Sequence, residues 1–208
     1  DITALHMAIH RHAGLVTFHG PVALRAFTPY SLGELKRVLW TGETPTRLGG
    51  PPPCERGASR ADWDKRVATM VPGRARGRLL GGNLCLLAHL CGTPYFPDLR
   101  GAILFLEDVE EAYYRIDRML TQLWLSGALA GIVGVTFGKF TNCDPSPFFL
   151  QNRQIEDILG ERCRALGVPA VSGIMVGHIE DQTTLPVGCL AELDADAGTL
   201  TLLEPGVS

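Results

Sequence analysis

No two of the six cysteines, Cys54, Cys85, Cys91, Cys143, Cys163 and Cys189, stand in a Cys-x-x-Cys spacing. The chain therefore carries no signature of a zinc knuckle or a thioredoxin-type redox pair. Cys85 lies in the apolar run Leu84-Cys85-Leu86-Leu87, and the set reads as reduced, buried thiols of a cytosolic protein. HExxH, GxGxxG and the Walker lysine are also missing, which removes the usual basis for a zincin or nucleotide site. No apolar run is long enough to span a bilayer, and the N-terminus has no basic-then-apolar leader. Charge is nearly balanced, with 19 Lys+Arg against 22 Asp+Glu, so nucleic acid and membrane surfaces are not expected partners. The Gly-interrupted cluster Arg74, Arg76, Arg78 reads as part of a solvated linker rather than as an anion site.

What is present is an ordinary globular composition, 46% hydrophobic and 20% charged over 208 residues. Apolar residues at 2, 5 and 9 predict a first helix over about 2–13, stopped at Gly14. Leu15–Pro21 reads as a short strand. Ser31 and Glu34 form a capping-box pattern that predicts a helix over 31–39. From Thr41 to about Gly77 the chain is rich in Gly, Pro and Arg, and reads as a linker between a first unit, 1–40, and a second, 79–208. The second unit holds a strand entering a helix through Gly81-Gly82-Asn83, and then a buried strand over 102–106. A long amphipathic helix over 109–125 and a strand over 132–137 follow. A helix over 151–166, a strand over 169–175 and a hairpin of 188–193 with 199–203 complete it. The first helix opens directly at Asp1, and a chain that begins inside a motif is expected to lack a segment upstream.

Two residues carry the chemistry. Glu107 follows the buried strand Ile103-Leu104-Phe105-Leu106, and His178 follows Gly173-Ile174-Met175-Val176-Gly177. Side chains presented at the carboxyl edge of a sheet are where α/β folds place their sites. A carboxylate orienting an imidazole is two thirds of a nucleophilic triad. Each has a plainer reading: Glu107 or Asp108 as a helix N-terminal acid, His178 as a loop histidine. His6 and His10 have the i, i+4 spacing of a metal pair but no third ligand, and His12, His19 and His89 have no evident partner. No serine in the chain has a strand–elbow–helix setting: Ser31 reads as a cap, Ser126 ends a helix, Ser146 sits between prolines and Ser172 lies within a strand. The position with that setting is the one preceding Asp1.

Several motifs, in order, resemble the LD-carboxypeptidases, a family of cytoplasmic bacterial serine peptidases. They are Gly81-Gly82-Asn83-Leu84, Gly92-Thr93-Pro94-Tyr95-Phe96-Pro97-Asp98 and Ile103–Asp108. Tyr114-Arg115-Ile116-Asp117-Arg118, Gly177-His178 and Leu185-Pro186-Val187-Gly188 complete the set, and the resemblance runs through essentially the whole chain.

The resemblance implies an α/β protein, the remnant of an N-terminal α/β sandwich domain followed by a C-terminal swivelling β/α domain, assembled as a homodimer. It implies a Ser–Glu–His triad with Glu107 as orienting carboxylate, His178 as general base and acid, and a serine just before Asp1. The Asp1 backbone N–H would then be an oxyanion donor. The implied reaction releases terminal D-alanine from murein tetrapeptides during peptidoglycan recycling, with no metal or other cofactor. Without its serine the chain as written is expected to be inactive. Two alternatives remain: an amide hydrolase like the microcin C immunity peptidases, with Trp63 in the segment that could set specificity, or a non-catalytic module that binds murein peptides or dimerises.

Overall fold

The computed structural model describes residues 1–23, 26–52, 66–144 and 153–207. Cys54, Trp63 and Ser146 lie outside the described residues. Fifteen elements are used below: α1 (Ile2–Ala13), β1 (Thr17–His19), α2 (Pro29–Lys36), β2 (Thr46–Leu48), β3 (Ala68–Val71), β4 (Arg74–Asn83), α3 (Leu84–Leu90), β5 (Ala102–Val109), α4 (Tyr113–Leu125), β6 (Gly134–Thr141), α5 (Ile155–Leu166), β7 (Ala170–Ser172), β8 (Leu185–Val187), β9 (Leu190–Asp194) and β10 (Thr199–Leu202).

The centre is an eight-stranded mixed sheet in the order β2-β10-β9-β4-β5-β6-β7-β3. The four middle strands, β4 to β7, run parallel and are joined by α3, α4 and α5, while the flanking strands pair antiparallel. Such crossovers cover a parallel sheet and demand strands apolar on both faces. β5 meets that demand, with Ile103, Leu104, Phe105 and Leu106 all buried. A two-stranded ribbon, β1 with β8, ties the N-terminal segment to the rest.

The expected linker, 41–78, is corrected by these strands. β2 and β3 form the two edges of the sheet, and β4 begins at Arg74. Arg74 pairs with Asp194 at 2.8 Å, and Arg78 donates to the Gly188 carbonyl and to Glu204. The glycines there are dictated by close approach rather than flexibility. A Cβ on Gly77 would stand 2.2 Å from the Gly101 carbonyl oxygen.

Three other expectations shift. Gly81 and Gly82 make no turn, because β4 runs through them to Asn83. The helix after β5 starts at Tyr113, so Glu107 and Asp108 belong to the strand itself. The cap of α2 is Thr28, whose hydroxyl accepts from the Ser31 N–H, three residues before the expected Ser31. Ser31 and Glu34 instead reach across to the chain that carries His178. The Gln182 N–H donates to Ser31 Oγ, which itself donates to the Glu180 carbonyl, and Thr183 donates to the Glu34 carboxylate. Helix α1 ends as expected, with Gly14 in the left-handed conformation, and α5 ends likewise at Gly167.

Candidate active site

The carboxyl ends of the parallel strands converge on one cavity of about 760 Å³. β4 delivers Asn83, β5 delivers Glu107 and Asp108, and the loop after β7 delivers Gly177 and His178. The N-terminus of α1 contributes Asp1, Ile2 and Thr3. The sheet edge thus brings together Glu107, His178 and Asp1, which stand 71 residues or more apart in the chain.

Glu107 Oε2 lies 2.9 Å from His178 Nδ1. The Glu107 side chain is 1% exposed and that of His178 is 55% exposed, so a buried carboxylate holds an imidazole that faces solvent. Gly177 makes the approach possible. A Cβ there would stand 3.2 Å from Glu107 Oε2 and 2.9 Å from the Lys139 carbonyl oxygen, and its φ of +121° suits glycine. Burial pushes the Glu107 carboxyl above the ordinary carboxylate range; the adjacent His178 pulls it back in part, and Asp108 adds to the rise. With Nδ1 engaged, Nε2 is the nitrogen left to take a proton from a nucleophile.

Asp108, next to Glu107, has a different task. Its Oδ1 accepts from Asn83 Nδ2 at 2.8 Å and its Oδ2 accepts from the Cys85 N–H at 3.0 Å. Asn83 in turn caps α3 through the Leu86 N–H, and its own N–H donates to Thr3 Oγ1. These bonds lock the start of α1, the end of β4 and the start of α3 into one frame. Gly82 sits inside it: a Cβ would meet Thr3 Oγ1 at 2.5 Å. The first turn of α1, with Asp1, Ile2 and Thr3, therefore lines the cavity, and a helix N-terminus favours negative charge beside it.

None of the described serines lines this cavity. Ser31 is used by the 180–182 chain, Ser126 donates to the Leu123 carbonyl, and Ser172 lies in β7. Cys85 does line it, but burial, followed by the Asp108 and Glu111 carboxylates, pushes its thiol up, the opposite of what a nucleophile needs.

Sequence reasoning missed four wall residues: His6, His19, Cys85 and Glu111. His6 and His19 lie 6.1 Å apart between ring centroids, and His19 packs edge-on against Phe105 at 5.3 Å. His6 and His10 do not converge as a metal pair; His6 faces His19, whereas His10 packs beside Gly188. Burial, and then the proximity of His6 and His178, lowers His19 to about 4. A histidine held neutral by the fold stabilises it above the unfolded value of 6.5, and that stability is lost as pH falls from 6.5 towards 4. Urea melts of the chain should accordingly weaken by about 2–3 kcal/mol between pH 7 and pH 4.5, and His19→Gln should remove most of the drop. An undiminished drop in His19→Gln would contradict the assignment.

A carboxylate-oriented imidazole at the carboxyl edge of an α/β sheet supplies two of the three parts of a nucleophilic triad. The family is more specific: residues 76–193 match the LD-carboxypeptidase C-terminal domain, and the chain belongs to the LD-carboxypeptidase family. All of the chain aligns at 42% identity with a putative carboxypeptidase of Streptomyces coelicolor and at 36% with a probable murein peptide carboxypeptidase of Bacillus subtilis. It spans 61% and 62% of those two proteins' lengths. Among solved structures, the muramoyltetrapeptide carboxypeptidase of Oxalobacter formigenes superposes with a TM-score of 0.77 at 32% identity, over 97% of this chain and 65% of that one. The microcin C7 self-immunity protein shares the fold, with a TM-score of 0.82 at 24% identity.

Proposed function

We propose that the full-length protein is a serine-type LD-carboxypeptidase that releases terminal D-alanine from murein tetrapeptides in the cytoplasm, and that it acts as a homodimer. The observation that carries this reading is the 2.9 Å Glu107–His178 contact opening onto the N-terminus of α1. The nucleophile is a serine immediately before Asp1, at the head of α1, where the first-turn N–H groups gather. His178 Nε2 takes the serine proton as the hydroxyl attacks the scissile carbonyl, and then returns it to the leaving amine of D-alanine. Glu107 holds the imidazole tautomer and stabilises the imidazolium. The Asp1 N–H donates to the tetrahedral oxyanion, a contact whose loss typically costs about 10²–10³ in rate. The two-domain organisation belongs to the same proposal: residues 1–40 complete an N-terminal α/β domain, and the C-terminal domain includes β3 and all of β4. The names of the murein-peptide relatives favour this substrate over the microcin-type one.

The test is release of D-alanine from a tetrapeptide ending in an L,D bond. Full-length protein should turn it over steadily, spare the L,L diastereomer, and lose activity with His178→Ala; the 208-residue chain alone should release none. Undiminished turnover by His178→Ala would remove the reading.

A further inference from the structure

The chain between β7 and β8, residues 173–184, carries His178 and contains no helix or strand of its own. Glycine at 173 and 177, with φ of +90° and +121°, takes the side-chain restraint off the backbone just before the imidazole. Bonds to other elements fix the loop instead. Ahead of His178, the Val176 carbonyl accepts from the Lys139 N–H on β6 at 2.8 Å, and the Met175 N–H donates to the Gly49 carbonyl at 3.0 Å. Behind His178, the holding groups are side chains of α2.

Ser31 and Glu34 are those side chains, and both are buried, at 0% and 9% exposed. Ser31 Oγ accepts from the Gln182 N–H at 2.9 Å and from the Thr28 hydroxyl at 3.1 Å, and donates to the Glu180 carbonyl at 3.2 Å, which uses its full capacity. Gln182 passes the restraint back, because its side-chain amide donates to the Ile179 carbonyl at 2.9 Å, next to His178. Glu34 accepts from the hydroxyl of Thr183, whose N–H donates to the Met175 carbonyl at 2.7 Å. The two ends of the loop are tied to each other and to one face of α2. For stability alone, an apolar set of the same volume would serve this helix contact at least as well as a buried carboxylate and hydroxyls. What a satisfied polar network adds is one defined arrangement of the loop.

Resting on the carboxypeptidase reading, we propose that Ser31 and Glu34 are positioning residues for the reaction. Through Gln182 and Thr183 they hold the loop so that His178 Nδ1 stays on Glu107 and Nε2 stays available to the nucleophile. Neither residue lines the cavity of the catalytic pair, so their influence reaches the reacting atoms only through His178. They act on turnover more than on binding, because an imidazole displaced by about 1 Å loses on the order of 10²-fold in rate while substrate contacts elsewhere persist.

The test compares full-length variants in D-alanine release from an L,D tetrapeptide. Ser31→Ala and Glu34→Ala should each lower kcat by about 10- to 100-fold and change KM by less than about 3-fold. Glu34→Gln keeps an oxygen acceptor for Thr183 and should recover most of the loss. A residue serving stability alone would lower the melting midpoint and leave kcat of the folded protein unchanged. A second readout needs no turnover: the proton between His178 Nδ1 and Glu107 gives a far-downfield NMR resonance, present in the parent and absent in His178→Ala. Both alanine variants should broaden it by opening the contact to exchange with water, and the Glu34 variants decide alone where Ser31→Ala does not fold. Parent kcat in the alanine variants, an equally sharp resonance in them, or Glu34→Gln as slow as Glu34→Ala overturns the assignment and leaves the peptidase reading standing. No D-alanine release by the unaltered protein overturns the peptidase reading, and the resonance then decides the positioning role by itself.

Discussion

Glu107→Gln in the full-length protein lowers kcat by about 10⁴-fold while leaving the fold intact. The size of the effect follows from the geometry. Glu107 Oε2 is the acceptor for His178 Nδ1, and the carboxylate is buried, so no water can replace it. Glutamine fills the same volume, but its amide N–H can turn towards Nδ1 and select the tautomer with the proton on Nε2. That tautomer cannot accept a proton from the nucleophile. Burial already disfavours the charged form of Glu107, so removing the charge costs the fold little or even helps it. Thermal melting near the parent's midpoint, beside a near-complete loss of turnover, is the expected pair of results. Loss of both together would mean that Glu107 serves the fold instead.

Gly81→Ala should be the most damaging single methyl group in the described chain. β4 and β5 run side by side at the centre of the sheet, with Gly81 directly opposite Phe105. A Cβ on Gly81 would stand 1.9 Å from the Phe105 carbonyl oxygen and 2.8 Å from its carbonyl carbon, and the φ of +141° is itself unfavourable for alanine. The obstacle is the backbone of a fully buried strand, which cannot swing aside as a side chain can. Relief would require parting the strands whose ends hold Asn83 and Glu107 in register. The expected cost is about 4 kcal/mol or more, and a midpoint lowered by about 10 °C. Gly33 in α2 is the matched control. It has no neighbour within 4 Å of a built Cβ, so alanine there should be neutral or stabilising by up to about 1 kcal/mol. A Gly81→Ala protein that melts with the parent would refute the steric argument.

The parts of this molecule legible in its sequence are those decided by local pattern. The run Ile103–Leu106 reads as a doubly buried strand, and Gly14 and Gly167 read as helix stops. That Glu107 and His178 meet was legible because each follows an apolar run at one edge of the sheet. What escaped depends on partners far away in the chain. Ser31 and Glu34 make the local pattern of a capping box, yet both are drawn to residues 180–183, and the cap falls to Thr28. Arg74 and Arg78 look like a solvated linker until β9 and Glu204 lie beside them, more than 100 residues later. The glycines at 81 and 82 look like a turn because close packing of strand backbone leaves no trace in the sequence except the glycines themselves. Glu111 was hidden inside an amphipathic pattern that continues through 109–112, although β5 ends at Val109 and α4 begins only at Tyr113. His19 belongs to the same group: its setting is made by His6 one element earlier and Phe105 on β5.

The central claim is that Glu107 and His178 serve a nucleophile at the head of α1. A fluorophosphonate reacts with an activated serine and leaves a mass tag that survives peptide mapping. Full-length protein should be tagged once, on a serine immediately before Asp1, and His178→Ala should abolish the tag. A tag on any other residue, or turnover that persists with no tag at all, would contradict the account.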